Sequence, residues 1–485
     1  LSAQTVLSPE TAARRFCRLL ASPTRILIAI SGGSDSTGLL LALLEALKAE
    51  PNSDISLCAA TIDHDLRAES ADEARHVAAL CRSLGISHVI RVWRDPKPKT
   101  GVMVAAREAR YELLADAAAE LGANLIVTAH TLDDQRETQA MRGARSRSPS
   151  TGIADAVLFD RRVWVARPFL SCLRADIRAF LSARAMPWLD DPSNEDVKYE
   201  RVRTRVALAG EGAPGREAYG ADIRLELSRQ AALWLGQHFT RPGEGLGRVA
   251  AKGLEAPLDV LGYALGRLAA VFGGQRFAPG RVQMDRILGF VTAGRPGRMT
   301  ASRVVFDLRR DGLYLARESR GILPLVVAPG KRAIWDGRFV VENSSSSDVT
   351  VIARFASASI VSAPVSEIQQ RRVGAVNDAL ASDTLKAPGT LQPYGRHGTD
   401  EEAGGADLPK AAFKRALAAQ PCILVAACPN MCVISHPDVS LTRYFALFDR
   451  FLTRFDLIFA ESLAAAFGMR PYPSPPFGLI DGKAI

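Results

Sequence analysis

The chain has 485 residues, a formal net charge of +9 at pH 7, a sequence pI near 9.3 and 47% apolar residues. That length predicts about two to four domains, and the basic balance suits a polyanionic partner. The longest apolar runs, Leu39 to Leu44 and Cys422 to Cys428, are far too short to cross a bilayer, which excludes a helical membrane span. No signal-peptide pattern opens the chain. It begins at Leu1, so the true start is expected upstream or at an unusual codon. Cysteines at 17, 58, 81, 172, 422, 428 and 432 form an odd, dispersed set. That set predicts a reducing, cytoplasmic location and buried free thiols rather than a disulfide framework.

Residues 25 to about 145 alternate strand and helix. Arg25–Ile30 is an apolar strand, followed by the hexapeptide Ser31-Gly32-Gly33-Ser34-Asp35-Ser36 and a helix from Thr37. Ile55–Ile62 is a second strand. Glu69–Leu84 has helical spacing, with Ser70 and Glu73 in the form of a capping box. Ser87–Trp93 is a third strand, Val102–Leu121 a long helix ending at Gly122, and Asn124–Ala129 a fourth strand. Such alternation predicts a parallel sheet covered on both faces, with ligands outside the carboxyl ends of its strands. Those ends carry Ser31–Ser36, Thr61–Arg67 and His130–Glu137.

Further along, Ser146–Gly152 is a basic Ser/Pro loop, Phe169–Arg205 is arginine-rich, and Leu208–Gly220 reads as a linker. Leu225 to about Val291 is apolar at helical spacing. Val304–Leu315 and Arg332–Glu342 read as strands, with the serine run Ser344–Ser347 after them. Ser382–Ala406 reads as a long loop and Leu441–Phe467 as strongly helical. The fold class is therefore α/β: a doubly wound parallel N-terminal domain over 1–215, a mainly helical domain over 216–325 and an α+β domain over 326–485.

The glycines of the hexapeptide let the backbone turn sharply and approach a ligand. Its hydroxyls and the amides opening the next helix face an anion at the positive end of the helix dipole. The Gly-Lys-Ser/Thr ending of a Walker loop is absent, so transfer of a terminal phosphate is not the natural reading. Ser31–Ser36 resembles the PP-loop of the ATP pyrophosphatases, which grip the pyrophosphate of ATP while a nucleophile attacks the α-phosphate. An ordinary Gly/Ser turn is the competing reading.

If Asp133 opens a helix, Asp133, Asp134 and Glu137 gather with His130 beside that loop. Carboxylates there can hold Mg²⁺ bridged to phosphates or bind an ammonium. The plainer alternative is an acidic first turn favoured by the helix dipole. Asp63 is placed to contact the nucleotide, and His64 either orients that loop or is a satisfied buried imidazole. Arg107 and Arg110 share a helix face and meet either phosphates or the neighbouring Glu108 and Glu112. The pair Cys428 and Cys432 with His436 is too sparse to predict a structural zinc.

With these pieces in place the chain resembles the bacterial tRNA(Ile)-lysidine synthetase family. The matches are S-G-G-S-D-S at 31–36, I-D-H-D-L-R at 62–67, A-R-E-A-R-Y at 106–111, T-A-H-T-L-D-D-Q-R-E-T at 128–138 and D-P-S-N-E-D-V-K-Y-E-R at 191–201. Looser ones are I-W-D-G-R-F at 334–339 and L-A-R-E-S-R at 315–320. The resemblance implies a two-step ligation. ATP adenylates O2 of the wobble cytidine of a CAU-anticodon tRNA(Ile), and the ε-amine of free lysine then displaces AMP to give lysidine. It implies that Ser31, Gly32, Gly33, Ser34, Asp35, Ser36, Asp63 and His130 hold ATP, with Asp35 also near Mg²⁺. Asp134 and Glu137 would recognise lysine. Arg110, Arg201 and Arg205 would stabilise phosphate charge or position tRNA. It also implies a homodimer through the N-terminal region.

The sequence departs from the family pattern at four places. Thr131 replaces a second histidine, Asp65 a glycine, Val202 an asparagine, and Arg145-Ser-Arg-Ser148 an R-G-S-G stretch. The last change bears on tRNA docking. Two other readings follow: another PP-loop tRNA-modifying enzyme, and a tRNA-binding homologue that has lost catalysis. Cys17, Cys58, Cys81 and Cys172 form no C-x-x-C, which argues against a thiolase, and no glutaminase-like nucleophile motif is evident.

Overall fold

The computed structural model describes residues 6–21, 23–66, 69–145, 151–190, 200–210, 219–354, 409–425 and 432–478. The chain forms two compact units. The first comprises residues 1–229 together with 449–461 and 471–485; the second comprises 230–448 and 462–470.

The first unit is built on a seven-stranded sheet. Its parallel part contains β1 (Thr24–Ala29), β2 (Ile55–Asp63), β3 (Ser87–Val92), β4 (Leu125–Val127) and, beyond a short strand β5 (Ala156–Phe159), β6 (Val163–Ala166). From one side the order is β3, β2, β1, β4, β6, β5, with Phe451–Thr453 antiparallel on the far edge. Ile26, Leu27 and Ile28 of β1 are fully buried, as expected for a central strand covered on both faces. The chain leaves β1 toward β2 on one side, while β4 lies on the other. A crevice therefore opens outside the carboxyl ends of β1 and β4, where such sheets bind ligands.

The helices of this unit are α1 (Pro9–Leu19), α2 (Ser34–Ala49), α3 (Ser70–Ser83), α4 (Val102–Glu120), α5 (Leu132–Arg145), α6 (Arg174–Ser182) and α7 (Glu200–Gly210). Helix α2 is buried along most of its length because α1 and α6 cover it. Gly38 makes that possible, since a Cβ there would lie 2.4 Å from Ile177 Cγ2 of α6. Helix α3 has Glu69 at its N-cap with no side-chain cap bond, so Ser70 is its first helical residue, one place inside the N-cap position that the expected capping box gives it.

The described part of residues 216–325, most of it in the second unit, carries more than the expected helices. After α8 (Tyr219–His238), which the unit boundary crosses, and beside Leu258–Gly273 and Arg281–Thr292, a five-stranded antiparallel sheet runs from Phe239 to Arg317. Apolar spacing over Leu225–Val291 hid the short hairpin Phe239–Gly243/Leu246–Ala250, because runs this short fit either period. A second core of Val327, Trp335, Phe339, Val341, Val349, Val351 and Ile423 lies between two smaller sheets. The units do not coincide with the division 1–215, 216–325 and 326–485. Residues 449–461 return to the first unit, and 230–448 group together.

Leu441–Phe467 is also less helical than its composition. Val439–Arg443 and Phe451–Thr453 are strands, and the α-helix is confined to Leu457–Ala466. Pairing with Phe339–Asn343 and with β5 overrides local preference. Cys17, Cys58, Cys81 and Cys172 are free, but Cys422 is disulfide-bonded, which corrects the expectation of free thiols. Position 428 and the segments 146–150, 191–199 and 382–406 lie outside the described residues.

Candidate functional site

The crevice outside β1 and β4 holds a cavity of about 260 Å³. One wall is the hexapeptide. Gly32 adopts φ +86°, a left-handed conformation natural to glycine, and its carbonyl accepts from the Leu189 amide at 2.9 Å. Gly33 is the N-cap of α2 and offers no side-chain cap. The first-turn amides of α2 thus have no intrahelical acceptor and face the cavity with the dipole behind them. Ser36 Oγ ties the loop to itself: it accepts from the Ser31 amide at 3.1 Å and donates to the Gly33 carbonyl at 3.1 Å. The loop is therefore prebuilt for an anion.

The opposite wall is the start of α5. Thr131 caps this helix. Its amide donates to Asp134 Oδ2 at 2.8 Å, its hydroxyl lies 3.2 Å from the same oxygen, and the Asp134 amide lies 3.3 Å from the hydroxyl. This reciprocal cap fixes the Asp134 carboxylate at the cavity edge. It also gives Thr131, fully buried, a purpose that explains the threonine at this position. Thr128 Oγ1 lies 3.0 Å from His130 Nδ1 and holds that ring in the cavity lining.

Arg174, the first residue of α6, joins the two walls. Its Nε donates to Asp35 Oδ2 at 3.1 Å, its Nη2 to Asp134 Oδ1 at 3.0 Å, and its Nη1 lies 3.9 Å from Glu137 Oε1. Its own amide donates to Asp133 Oδ2 at 2.8 Å. Glu137 is almost fully buried and accepts from Arg205 Nε at 2.7 Å. Burial pushes the Asp35 carboxyl up, only partly offset by Arg174, with Asp134 adding to the rise and Ser34 opposing it. Burial works against the Arg174 charge too, but Asp35, Asp134 and Glu137 outweigh it and hold its pKa above the ordinary arginine value.

Of the residues expected at the site, Ser31, Gly33, Ser34, Asp35, Ser36, Arg110, His130, Asp134 and Arg205 line the cavity together. Gly32 shapes the loop without lining it. Asp63 is turned to its own loop, where it accepts from the Asp65 amide at 2.8 Å. Glu137 sits behind Arg205 rather than on the cavity surface. Arg205 meets a carboxylate here, not a free anion. The Arg201 side chain lies outside the described residues. Sequence reasoning missed Arg174 and Arg178, whose partners are far away in the chain, so no local spacing announces them. Half-buried His64 has a buried Nδ1 without a hydrogen-bond partner and is held below the usual imidazole range by burial, then by Arg110, against the pull of Asp63. It is not the satisfied core imidazole.

Residues 8–211 match the PP-loop domain family. A tRNA(Ile)-lysidine synthase of Rhizobium meliloti (strain 1021) is 39% identical over 477 residues, 96% of each chain. The chain belongs to the tRNA(Ile)-lysidine synthase family. A second member, from Mesorhizobium japonicum, is 37% identical over 93% of this chain and 94% of its own. A solved U34-tRNA thiolase from Methanococcus maripaludis aligns at a TM-score of 0.35 with 15% identity, over 42% of this chain and 71% of that one. In this family member, ATP use follows from the PP-loop domain, and the parallel sheet and loop of the first unit are the elements that form it. No described helix is long and apolar enough to cross a membrane.

Proposed function

We propose that the chain ligates lysine to C2 of the wobble cytidine of CAU-anticodon tRNA(Ile). One observation carries the reading: an anion-binding loop and the Asp134 carboxylate, with Glu137 buried behind it, lie on opposite walls of one cavity, in a chain that aligns with lysidine synthases over nearly its whole length. Neither a thiolase nor a non-catalytic tRNA binder needs a carboxylate for an ammonium opposite the nucleotide.

In the first step cytidine O2 attacks the α-phosphorus of ATP, the bond to the bridging oxygen breaks, and pyrophosphate leaves. Ser31–Ser36 and the α2 amides hold the leaving pyrophosphate. Arg110 and Arg178, both on the cavity wall, oppose the charge that develops on the phosphoryl oxygens. In the second step lysine Nε attacks C2, the C2–O bond breaks, and AMP leaves. The amine must first lose a proton, since its ordinary pKa is about 10.4. Asp134 at the cavity edge and Glu137 behind it would hold the ammonium, and Asp134 would take that proton. His130 and Asp63 shape the nucleotide subsite, and Arg201 and Arg205 serve tRNA or phosphate.

Among the described residues no group of three or more His, Cys, Asp or Glu side chains could by itself hold a metal ion. Asp35 alone suits Mg²⁺ arriving with ATP, because that ion commonly takes one carboxylate plus phosphate oxygens. Burial penalises the Asp35 charge, and a cation would relieve that penalty. When bound there, Mg²⁺ would neutralise triphosphate charge. The C-terminal segments 216–325 and 326–485 would grip tRNA, and by the family resemblance two copies would pair through the N-terminal region, which sedimentation analysis checks.

The test is incorporation of labelled lysine into tRNA(Ile) bearing a CAU anticodon, with the uridine-34 form as control. Incorporation into the cytidine form alone is expected. ATP binding without incorporation would overturn the reading.

A further inference from the structure

Arg174 sits where the two substrates of the proposed reaction have to be told apart. Its guanidinium bonds Asp35 of the nucleotide loop and Asp134 of the lysine subsite at 3.1 and 3.0 Å. With Asp134 paired to Arg174 and Glu137 paired to Arg205, an arriving ammonium meets carboxylates that already hold cations. The arrangement is suited to a switch. The Arg174 backbone is anchored by Asp133, so the start of α6 stays in place while only the side chain moves. That side chain keeps 21% of its surface exposed, on the cavity side that the triphosphate would fill.

We propose that Arg174 couples the subsites, closing Asp134 to lysine until the phosphates of ATP draw its guanidinium toward the loop. This rests on the lysidine-forming reading above. Guanidinium binds phosphate oxygens in a planar, two-pronged geometry and gains charge assistance from them. A triphosphate against α2 therefore competes with Asp134 for Arg174. Asp35, on the loop itself, is the carboxylate placed for the cation that accompanies ATP. Asp134 gives up its Arg174 bond, keeps its Thr131 cap and becomes the counter-charge for the lysine ammonium. The order matters chemically: an amine admitted before the cytidine is activated has nothing to attack. Coupling is reciprocal, so lysine tightens nucleotide binding by the same factor that nucleotide tightens lysine binding.

The experiment is equilibrium dialysis of labelled lysine against the full chain, with and without α,β-methylene ATP and Mg²⁺, for the wild type and Arg174→Met. The wild type is expected to bind lysine about tenfold or more tightly with the nucleotide present. Arg174→Met, which keeps the side-chain bulk without the charge, is expected to bind lysine well without nucleotide and to show less than a twofold further gain on adding it. A merely structural arginine would instead weaken lysine binding in both states. Equal wild-type affinity in the two states, or an undiminished nucleotide effect in Arg174→Met, overturns the coupling. Lysine incorporation into CAU tRNA is run alongside. Incorporation with equal affinities removes the coupling and leaves the function standing, whereas no lysine bound or incorporated in any state removes both.

Discussion

At the residue scale, Gly32 is the least replaceable position of the nucleotide loop. A Cβ there would lie 2.8 Å from Leu189 Cδ1 and 2.9 Å from Val77 Cγ2, and φ +86° disfavours any side chain. Backbone strain of about 1–2 kcal/mol and overpacking of about 1–3 kcal/mol both apply. Gly32→Ala should therefore lower stability in urea by about 2–4 kcal/mol and weaken ATP binding, read by denaturation and by nucleotide titration; unchanged values for both would refute the account. Tyr111 makes a second prediction. Burial alone would push its phenol up, but Arg167, Arg107 and Arg110 outweigh it and bring it down to about 8. Arg167 Nη2 lies 3.3 Å from the phenol oxygen. An unfolded tyrosine titrates near 10, so between the two values the unfolded chain binds the extra proton. Stability relative to Tyr111→Phe should therefore rise from pH 8 to pH 10 and show no such gain below pH 8. A pH-independent difference between the two proteins contradicts it. The residue scale is also where the sequence was most informative. Ser31–Ser36, His130 and Asp134 announced their cavity because a loop motif and a helix first turn are local. Arg174 could not be found that way, since it meets Asp35 and Asp134 only through the fold. Asp65, standing in place of a glycine, does take a left-handed φ of 51°. Aspartate tolerates that conformation better than most residues, which reconciles the change with the turn.

At the element scale, the central parallel strands were legible because strands buried on both faces read as continuous apolar runs, as at 25–30, 55–62 and 124–129; the half-buried edge strand expected at 87–93 appears too. The hairpin β5–β6 and the edge strand Phe451–Thr453 were not legible: β5 and β6 pair antiparallel, outside the strand-helix alternation, and the edge strand meets β5 only from far along the chain. Such strands exist only by virtue of their partners. The edge strand is secured by Arg454, which is buried and bonds Asp155 through Nε at 3.1 and 3.0 Å and through Nη2 at 2.7 Å. Phe451 also packs against Tyr111 and Phe159, with ring centroids 5.2 and 5.1 Å apart. Removing one member of a buried ion pair strands the other charge. Arg454→Met is predicted to cost about 3–5 kcal/mol of unfolding free energy, whereas the double change Arg454→Met with Asp155→Leu should recover much of it. A single variant as stable as the wild type would show that the pair contributes nothing.

At the scale of the whole molecule, a net charge of +9 bears on how the chain meets a polyanion. Phosphate contacts release counterions, so affinity for tRNA should fall at least about tenfold between about 50 and 200 mM salt. Affinity for lysine, a single small ion met by buried groups, should change far less over the same range. Filter binding and dialysis read the two; parallel salt slopes would contradict a tRNA interaction dominated by phosphate contacts. A different consequence follows from the return of residues 449–461 to the first unit. On the ribosome, the nucleotide-binding sheet emerges early but lacks its last strand and the partner of Asp155 until residues 230–448 have also been made. At ~5–20 residues per second that wait lasts on the order of ten seconds or more. During it the outer edge of β5 is an unpaired strand, open to pairing with another nascent chain. A message truncated anywhere before codon 449 would therefore yield no finished N-terminal half, and the cell would be spared a fragment that consumes ATP without handling tRNA.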